Sequence, residues 1–368
     1  MTENLPTFIN LTEFATSNTG GQILFATDDF FAVAENLISD TDPIYIADKY
    51  TEYGKWMDGW ETRRKRIPGH DWCIIKLAVA CVIKGLLLDT AHFTGNNVLK
   101  FSIQATILSS EEELQIPPRN TTVGSGASAE DLDRVEEIFS EKWKEIVPVT
   151  SLRPGLEVTR YNYVKVFSNK PWTHIRLNIY PDGGIARLRV YGEASPEKPP
   201  ANELTDLVSM LNGGVNQGYS NAHYSHPRNI LKPFKGVSMS DGWETARNQN
   251  RPAIIELNED GTLNVNVSEW AIFKLGFPGS LRRICVDTSH FKGNYPGDVK
   301  IEGAYLEKEN WFPGDKVGWT SVLKQNPLEG DKEHWFDCES DVITHIKVTI
   351  SPDGGISRLR TFGYISPF

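Results

Sequence analysis

The sequence predicts an all-β protein built from two tandem β-sandwich domains. Three motifs occur in the same order in both halves of the 368-residue chain, which indicates an internal repeat. Short β-branched and aromatic runs, broken by Gly, Asn and Asp, follow one another without recurring helices between them. Late in each half, one segment alternates apolar and polar residues, as strands of an antiparallel sheet do.

The repeat is visible in the sequence itself. A period close to half the chain indicates duplication of one domain rather than a solenoid of short units. The matching segments are DGWETRR (58–64) with DGWETAR (241–247), DTAHFTGN (89–96) with DTSHFKGN (287–294), and PDGGIARLRVYG (181–192) with PDGGISRLRTFG (352–363).

The domain boundary is predicted between the two copies. Residues 195–203, SPEKPPANE, are rich in Pro and charge and show no periodicity, as expected of a linker. We therefore expect a first domain over residues 1–195, a linker over 196–203 and a second domain over 204–368.

The strands follow from the apolar pattern. In the first half, the segment after DGWET is predicted as two short strands, 71–77 and 82–89, and the next strand covers 98–108. The alternating strands are 174–180 and 345–350. Each has one apolar face, and the opposite face is expected to be wet.

One helix is predicted, over residues 131–146. It follows a Pro- and Gly-rich segment, 117–131, which is expected to be a mobile loop. Residues 307–332 of the second half show no such helix, so the helix is interpreted as a minor decoration of the first domain. Its apolar stripe consists of Leu132, Val135, Phe139, Trp143 and Ile146.

The Pro-Asp-Gly-Gly segments are interpreted as turns, with Asp182 and Asp353 as turn residues. If each turn closes a hairpin, Arg176 lies opposite Arg189, and the second copy repeats this pairing of like charges. Such pairs are destabilising. Two interpretations stay open: a nearby carboxylate neutralises each pair, or the pair attracts an anionic ligand.

Composition excludes several functions. The net charge is −10, so nucleic acid and anionic membranes are not expected as partners. The chain has no transmembrane run of apolar residues and no signal peptide, and it does not end in S-K-L. A cytoplasmic location is expected, with a peroxisomal one left open.

The four cysteines lack C-x-x-C spacing and are expected to be buried free thiols.

The two copies show which residues were kept after duplication. A turn and a core Trp explain most of DGWET, but they do not explain Glu61 and Arg64, or their counterparts Glu244 and Arg247. The other basic residues at 63–66 are not kept, so they are interpreted as a solvated charge cluster. His92 and His174 with Asp89 are weighed as ligands of a divalent ion, but their spacing fits no recognised metal motif.

These doubled motifs, together with ATDDFF (26–31) and AENL (34–37) upstream, closely resemble the allantoicase family over nearly the whole chain. The resemblance implies two jelly-roll domains of the galactose-binding-like kind. It also implies a hydrolase acting on C–N bonds in linear amidines, which converts allantoate to (S)-ureidoglycolate and urea in allantoin and purine degradation. The substrate partner is then allantoate, and a homo-oligomer is expected.

Within that reaction, a cation must hold the substrate carboxylate, an acid must protonate the departing urea nitrogen, and a base or metal must prepare water. No cofactor is indicated, and metal dependence stays open, as does which copy holds the active site. The catalytic candidates are Asp58, Glu61, His92, Asp241, Glu244 and His290. The substrate-binding candidates are Arg64 and Arg247, with Arg187 and Arg358 as alternatives, and the loop residues Asp89 and Asp287.

Two rival functions remain. One is a non-catalytic double jelly roll that binds a small ligand or carbohydrate, since fold alone does not assign function. The other is a hydrolase of a related ureide such as ureidoglycolate. The shared ionic residues favour an enzyme over a neutral-sugar module.

Overall fold

A computed structural model describes residues 5–307 and 316–367. The chain divides into two compact units, Met1–Ser195 (unit 1) and Pro196–Phe368 (unit 2). Each unit is a β-sandwich of the jelly-roll kind.

Unit 1 contains two α-helices, α1 (Ser110–Glu113) and α2 (Ala129–Phe139), and short 3₁₀ turns at Thr7–Asn10, Ser17–Thr19 and Ala34–Ile38. Its strands are β1 (Thr12–Glu13), β2 (Gln22–Ala26), β3 (Asp28–Asp29), β4 (Tyr50–Thr51), β5 (Gly54–Lys55), β6 (Trp60–Glu61), β7 (Asp71–Asp89), β8 (Lys100–Thr106), β9 (Ser125–Gly126), β10 (Lys144–Ser151), β11 (Tyr161–Lys165), β12 (Trp172–Tyr180), β13 (Gly184–Ile185) and β14 (Arg187–Ala194).

Unit 2 repeats this order, with 3₁₀ turns at Met210–Asn212, Pro227–Leu231 and Met239–Asp241. Its strands are β15 (Thr205–Asp206), β16 (Val215–Tyr219), β17 (Trp243–Glu244), β18 (Glu256–Leu257), β19 (Leu263–Asn264), β20 (Glu269–Asp287), β21 (Asp298–Ala304), β22 (Thr320–Pro327), β23 (Glu333–Asp337), β24 (Ile343–Ser351), β25 (Gly355–Ile356) and β26 (Arg358–Ile365).

One long strand in the eight-stranded sheet of each unit pairs with different neighbours along its two halves. The first part of β7 pairs with β2 and β12, and its second part pairs with β11 and β14. The prediction of two separate short strands here is therefore wrong, although the sandwich itself is confirmed. Strand β20 does the same in unit 2, with β16 and β24 and then with β23 and β26.

The hairpin predicted at Pro-Asp-Gly-Gly is also wrong. Strands β12 and β14 do not pair with each other, because β7 lies between them in the sheet and each pairs mainly with a different part of it. Arg176 lies opposite Gln104 and stacks over the ring of Trp72, 3.9 Å from its centroid. Arg189 lies opposite Leu87. The like-charge pair that needed a neutralising partner does not exist.

The helix predicted in the first domain exists but is shorter than expected. Helix α2 ends at Phe139, and Ile146 lies in strand β10. The α1–α2 segment covers the outer face of the sheet that contains β12, so this face is not wet. A second apolar cluster forms there from Phe25, Trp72, Ile74, Leu108, Ile116, Val135 and Trp143.

The segment predicted as a mobile loop is anchored. Strand β9 pairs with β3, and Arg119 forms ion pairs with Asp29 and Glu35. These contacts fix the segment 117–131 to the rest of unit 1, so it is more than a peripheral decoration. The expectation of no helix over residues 307–332 concerns in part residues 308–315, which lie outside the described residues; residues 316–332 carry β22.

The cysteines are free thiols. Cys73, Cys81 and Cys285 are buried as expected, whereas Cys338 is only half-buried. Within residues 5–307 and 316–367, the structure has no helix whose length and apolar character would let it cross a bilayer.

Candidate functional site

Glu61 is positioned by a short two-stranded ladder at one end of unit 1. Strand β6 pairs with β13, so that Trp60 lies opposite Ile185 and Glu61 opposite Gly184. Trp60 is fully buried and donates from Nε1 to the carbonyl of Asp28 at 2.8 Å. Neighbouring residues of a strand point to opposite faces. The buried Trp60 therefore directs Glu61 away from the core.

The loop after β7 brings Asn96 to this carboxylate. Phe93 anchors the loop in the core, and a Cβ on Gly184 would lie 2.1 Å from its ring, so only glycine fits there. The amide of Gly184 donates to the carbonyl of Asn96 at 2.8 Å. Asn96 Nδ2 then donates to Glu61 Oε1 at 2.6 Å.

A cavity of about 560 Å³ opens beside this pair. Its volume suits a small molecule. Its charged lining residues are Glu61, Arg64, Lys65 and Asp182. The remaining wall consists of Phe31, Thr62, Gly95, Asn96, Asn97, Leu99, Pro181 and Gly183.

The two cations of the cavity differ in how they are held. Lys65 Nζ lies 2.6 Å from Asp71 Oδ1, so its charge is already paired. Arg64 is exposed, and within the described residues it forms no ion pair or hydrogen bond. Arg64 is therefore the cation whose guanidinium donors remain available to an anionic ligand.

Glu61 is half-buried, and burial raises its pKa above the ordinary value of 4.5. The hydrogen bond from Asn96 acts in the opposite direction and offsets only part of this effect. A carboxyl with a raised pKa is suited to exchange protons with a substrate near neutral pH.

Unit 2 contains the same arrangement. Glu244 lies opposite Gly355 in the ladder of β17 and β25, and it accepts a hydrogen bond from Asn294 Nδ2 at 2.5 Å. Arg247 is exposed and, among the described residues, has no protein partner.

Asp58 and Arg187, predicted in separate roles, bind each other. Arg187 Nη2 donates to Asp58 Oδ2 at 2.9 Å, and its other donors reach the carbonyls of Asp58, Thr41 and Ala186. Arg187 is buried. With its donors occupied, this pair fixes the loop around Thr41 rather than facing the cavity.

Unit 2 repeats this buried pair. Arg358 Nη2 lies 2.5 Å from Asp241 Oδ2, and Lys232 Nζ lies 2.5 Å from Oδ1. Burial alone would raise the pKa of Asp241, but Lys232 and Arg358 together hold it below its usual value. The structure therefore gives Asp58, Asp241, Arg187 and Arg358 structural contacts instead of the catalytic and substrate-binding roles expected of them.

His92 and His290 are the histidines among the catalytic candidates, and His92 is not among the residues that line the unit 1 cavity. His92 Nε2 lies 3.1 Å from the carbonyl of Pro43, and His290 Nε2 lies 2.8 Å from that of Gly236. A carbonyl only accepts, so Nε2 carries the proton in both rings. Both residues have positive φ, 69° and 74°, and each fastens its loop to the neighbouring segment.

Asp89 and Asp287 begin these loops as turn residues. Asp89 Oδ1 accepts from the amide of Ala91 at 2.8 Å, and Arg160 forms an ion pair with the same carboxylate. Asp287 Oδ1 accepts from the amide and hydroxyl of Ser289. Their carboxylates are used inside the fold, which agrees with the turn interpretation rather than substrate binding.

The structure does not gather the histidines into a metal site. His174 is buried, with Nδ1 2.7 Å from Thr173 Oγ1 and Nε2 3.2 Å from Glu113. Within residues 5–307 and 316–367, no group of three or more His, Cys, Asp or Glu side chains is arranged to hold a metal ion.

Two residues of the cavity were missed by sequence reasoning. Asn96 closes the DTAHFTGN motif and is kept as Asn294, so the repeat contained the signal. Asp182 was interpreted only as a turn residue. Its Oδ2 does accept the amide of Lys65 at 2.8 Å, as a turn-fixing contact would, but the residue also lines the cavity.

Comparisons with known proteins agree with this architecture. The Allantoicase repeat family model matches residues 12–195 and 205–366. "Probable allantoicase 1" of Burkholderia mallei is 40% identical over 363 residues, covering 97% of this chain and 94% of the relative. "Probable allantoicase" of Acinetobacter baumannii is 37% identical, covering 98% and 96%.

Among solved structures, that of allantoicase from Saccharomyces cerevisiae superposes with a TM-score of 0.70 at 34% identity, covering 95% of this chain and 92% of that one. The family model matches both halves of the chain, the relatives align over nearly their whole length, and the solved allantoicase has the same fold. The chain belongs to the allantoicase family.

Proposed function

We propose that the protein is an allantoicase, which hydrolyses allantoate to (S)-ureidoglycolate and urea. Family membership supports the reaction. The assignment of the site depends on one observation. The same cavity is lined by the Glu61 carboxyl, which Asn96 holds in place, and by the Arg64 guanidinium, which has no protein partner among the described residues. An acidic and a basic side chain in one cavity suit a ligand that offers both an anionic group and N–H donors.

Allantoate carries one carboxylate and two ureido groups on a single carbon. The planar fork of Arg64 can bind the carboxylate through two parallel hydrogen bonds. Asn96 occupies Oε1 of Glu61, which leaves Oε2 available for a contact with the substrate. The ionised form of Glu61 can accept ureido N–H groups, and its protonated form is the one that can donate a proton.

Breaking one C–N bond requires a proton on the departing urea nitrogen and a water molecule for the central carbon. Glu61, with its raised pKa, is the group we assign to deliver that proton, after which its carboxylate accepts one from water. Asp182 is the other acidic group of the wall, with Oδ2 already accepting the amide of Lys65, and it is the alternative base.

Incubation of the purified protein with allantoate and with ureidoglycolate, with and without a chelator, tests the proposal by measuring urea and glyoxylate. Release of urea from allantoate alone supports it. A ureidoglycolate hydrolase would act on the second compound, and a binding module would act on neither. The chelator arm establishes metal dependence.

Arg64→Ala and Arg66→Ala make a matched pair for the site. Both residues are exposed members of one basic run, but only Arg64 lines the cavity. Loss of a charged hydrogen-bonding partner should lower kcat/KM of Arg64→Ala by roughly 100-fold. Equal activity in both variants would remove Arg64 from the site.

A further inference from the structure

We infer that unit 2 carries a second binding site for a ureido carboxylate, formed by Glu244, Asn294 and Arg247. The inference rests on the proposed function, because the ligand chemistry is taken from the cavity of unit 1. It goes beyond that function by placing a ligand on both units.

The backbone around Glu244 reproduces that around Glu61. The Thr245 amide donates to the Gly354 carbonyl at 3.1 Å, and the Gly354 amide donates back to Thr245 Oγ1 at 3.0 Å. In unit 1, Thr62 and Gly183 make the same two contacts, at 3.2 and 3.3 Å. The segment carrying the arginine is therefore held in the same way in both units.

One neighbouring cation changed together with its partner. In unit 1, Arg63 forms an ion pair with Asp28, whose Oδ1 also accepts the amide of Arg63 at 3.0 Å. In unit 2, Ala246 replaces the arginine, and its amide donates to Asn221 Oδ1 at 3.1 Å. The cation and its anion were lost as a unit.

The second cation was also replaced, although its acidic partner was kept. Lys65 pairs with Asp71 in unit 1. At the corresponding place in unit 2, Asn248 Nδ2 donates to Glu269 Oε1 at 3.0 Å. The basic residues that form ion pairs within unit 1 are thus replaced in unit 2 by residues that make a hydrogen bond at the same place.

Arg247 behaves differently. It is retained although, within the described residues, neither it nor Arg64 has a protein partner whose loss would cost stability. Its companions Glu244 and Asn294 are retained in hydrogen-bonded contact. Binding of a ligand, rather than stabilisation of the fold, explains why Glu244, Asn294 and Arg247 are retained. They are the same residue types as Glu61, Asn96 and Arg64 of the unit 1 cavity.

The rim of the second site also differs at the position of Phe31. The amides of Phe31 and Tyr224 both donate to the carbonyl of their respective glutamate, so the two residues correspond. Tyr224 is 66% exposed and adds a hydroxyl where unit 1 has a phenyl ring. The two sites should therefore bind the same class of ligand with different affinities.

Calorimetric titration of the full chain with ureidoacetate tests the inference. This compound has one carboxylate and one ureido group, and it lacks the second ureido group that would leave as urea. We expect two molecules bound per wild-type chain, and one per chain in both Arg64→Ala and Arg247→Ala. Glu244→Gln should resemble Arg247→Ala.

Lys324→Ala is the matched control, since it removes another exposed cation of unit 2 from strand β22. It should bind two molecules, and thermal melting should be unchanged in all variants. A wild-type stoichiometry below two, or an Arg247→Ala stoichiometry that stays at two, overturns the inference.

Allantoate hydrolysis measured on the same samples separates the two proposals. Urea release with only one bound molecule overturns the second site and leaves the proposed function standing. Two bound molecules without urea release overturn the proposed function and leave the second site standing.

Discussion

Asn96 donates to the Glu61 carboxylate at 2.6 Å, although Glu61 lies in strand β6 and Asn96 in the loop after β7. The contact depends on Gly184, whose lack of a side chain lets Phe93 pack against the ladder and whose amide holds the Asn96 carbonyl. The direction of the Glu61 side chain is therefore set by the fold before any ligand arrives.

Asn96→Ala should lower kcat/KM by about 10- to 100-fold, because the hydrogen bond to a charged group that orients Glu61 is lost. This bond lowers the pKa of Glu61. Its removal should move the limb of the pH–rate profile that belongs to Glu61 to higher pH.

Thr94→Ala is the control for this experiment, since Thr94 is exposed in the same loop and does not line the cavity. A rate loss without any movement of the pH limb would mean that Asn96 acts elsewhere than on Glu61.

The repeat made much of the site predictable. Two copies of one domain show that Glu61 and Arg64 were kept while Arg63, Lys65 and Arg66 were not. The structure explains this difference, because Arg63 and Lys65 serve ion pairs of unit 1, whereas Arg64 faces the cavity. The same comparison contained Asn96, which sequence reasoning did not single out.

Other features depend on tertiary contacts that a local pattern does not contain. The hairpin prediction failed because β7 lies between β12 and β14 in the sheet, so these two strands, although close in sequence, pair with β7 and not with each other. Retention in both copies also marks structural residues. Asp58 with Arg187 forms a buried ion pair, and only the packed structure distinguishes this from a site.

Arg187→Ala should destabilise the protein by about 3–5 kcal/mol, the cost of breaking a buried ion pair from one side. Arg187→Lys should not restore stability, because one ammonium cannot reach Thr41, Ala186 and Asp58 together. Urea denaturation measures both variants.

Arg189→Ala is the matched control for Arg187→Ala. It lies on the same strand, and its guanidinium donates to the carbonyl of Leu188, so a smaller loss is expected. If Arg187→Ala kept wild-type stability and raised KM instead, Arg187 would be a substrate-binding residue after all.

His92→Asn should keep kcat within about threefold of the wild type, whereas loss of a general acid costs about 100- to 10,000-fold. Asparagine tolerates the left-handed backbone conformation of this position, φ 69°. The variant therefore removes the imidazole with little backbone strain, and steady-state kinetics on allantoate gives the readout. A 100-fold fall in kcat would return His92 to the catalytic set.

Glu61→Gln should abolish most activity and, at neutral pH, stabilise the protein. In the wild type, Glu61 is protonated in both folded and unfolded chains well below its ordinary pKa of 4.5. As the pH rises, the unfolded chain ionises first, because burial raises the pKa of the folded carboxyl. Wild-type stability therefore falls until the pH passes the folded pKa.

Glutamine stays neutral at every pH, so the stability of the variant does not fall in this way as the pH rises. The melting temperature of Glu61→Gln minus that of the wild type should therefore be more positive at about pH 7 than at about pH 4. Effects of the substitution that do not involve a proton cancel between the two pH values. A difference that does not change with pH would show that the folded structure does not disfavour the charged form of Glu61, and the argument for its proton-transfer role would lose its physical basis.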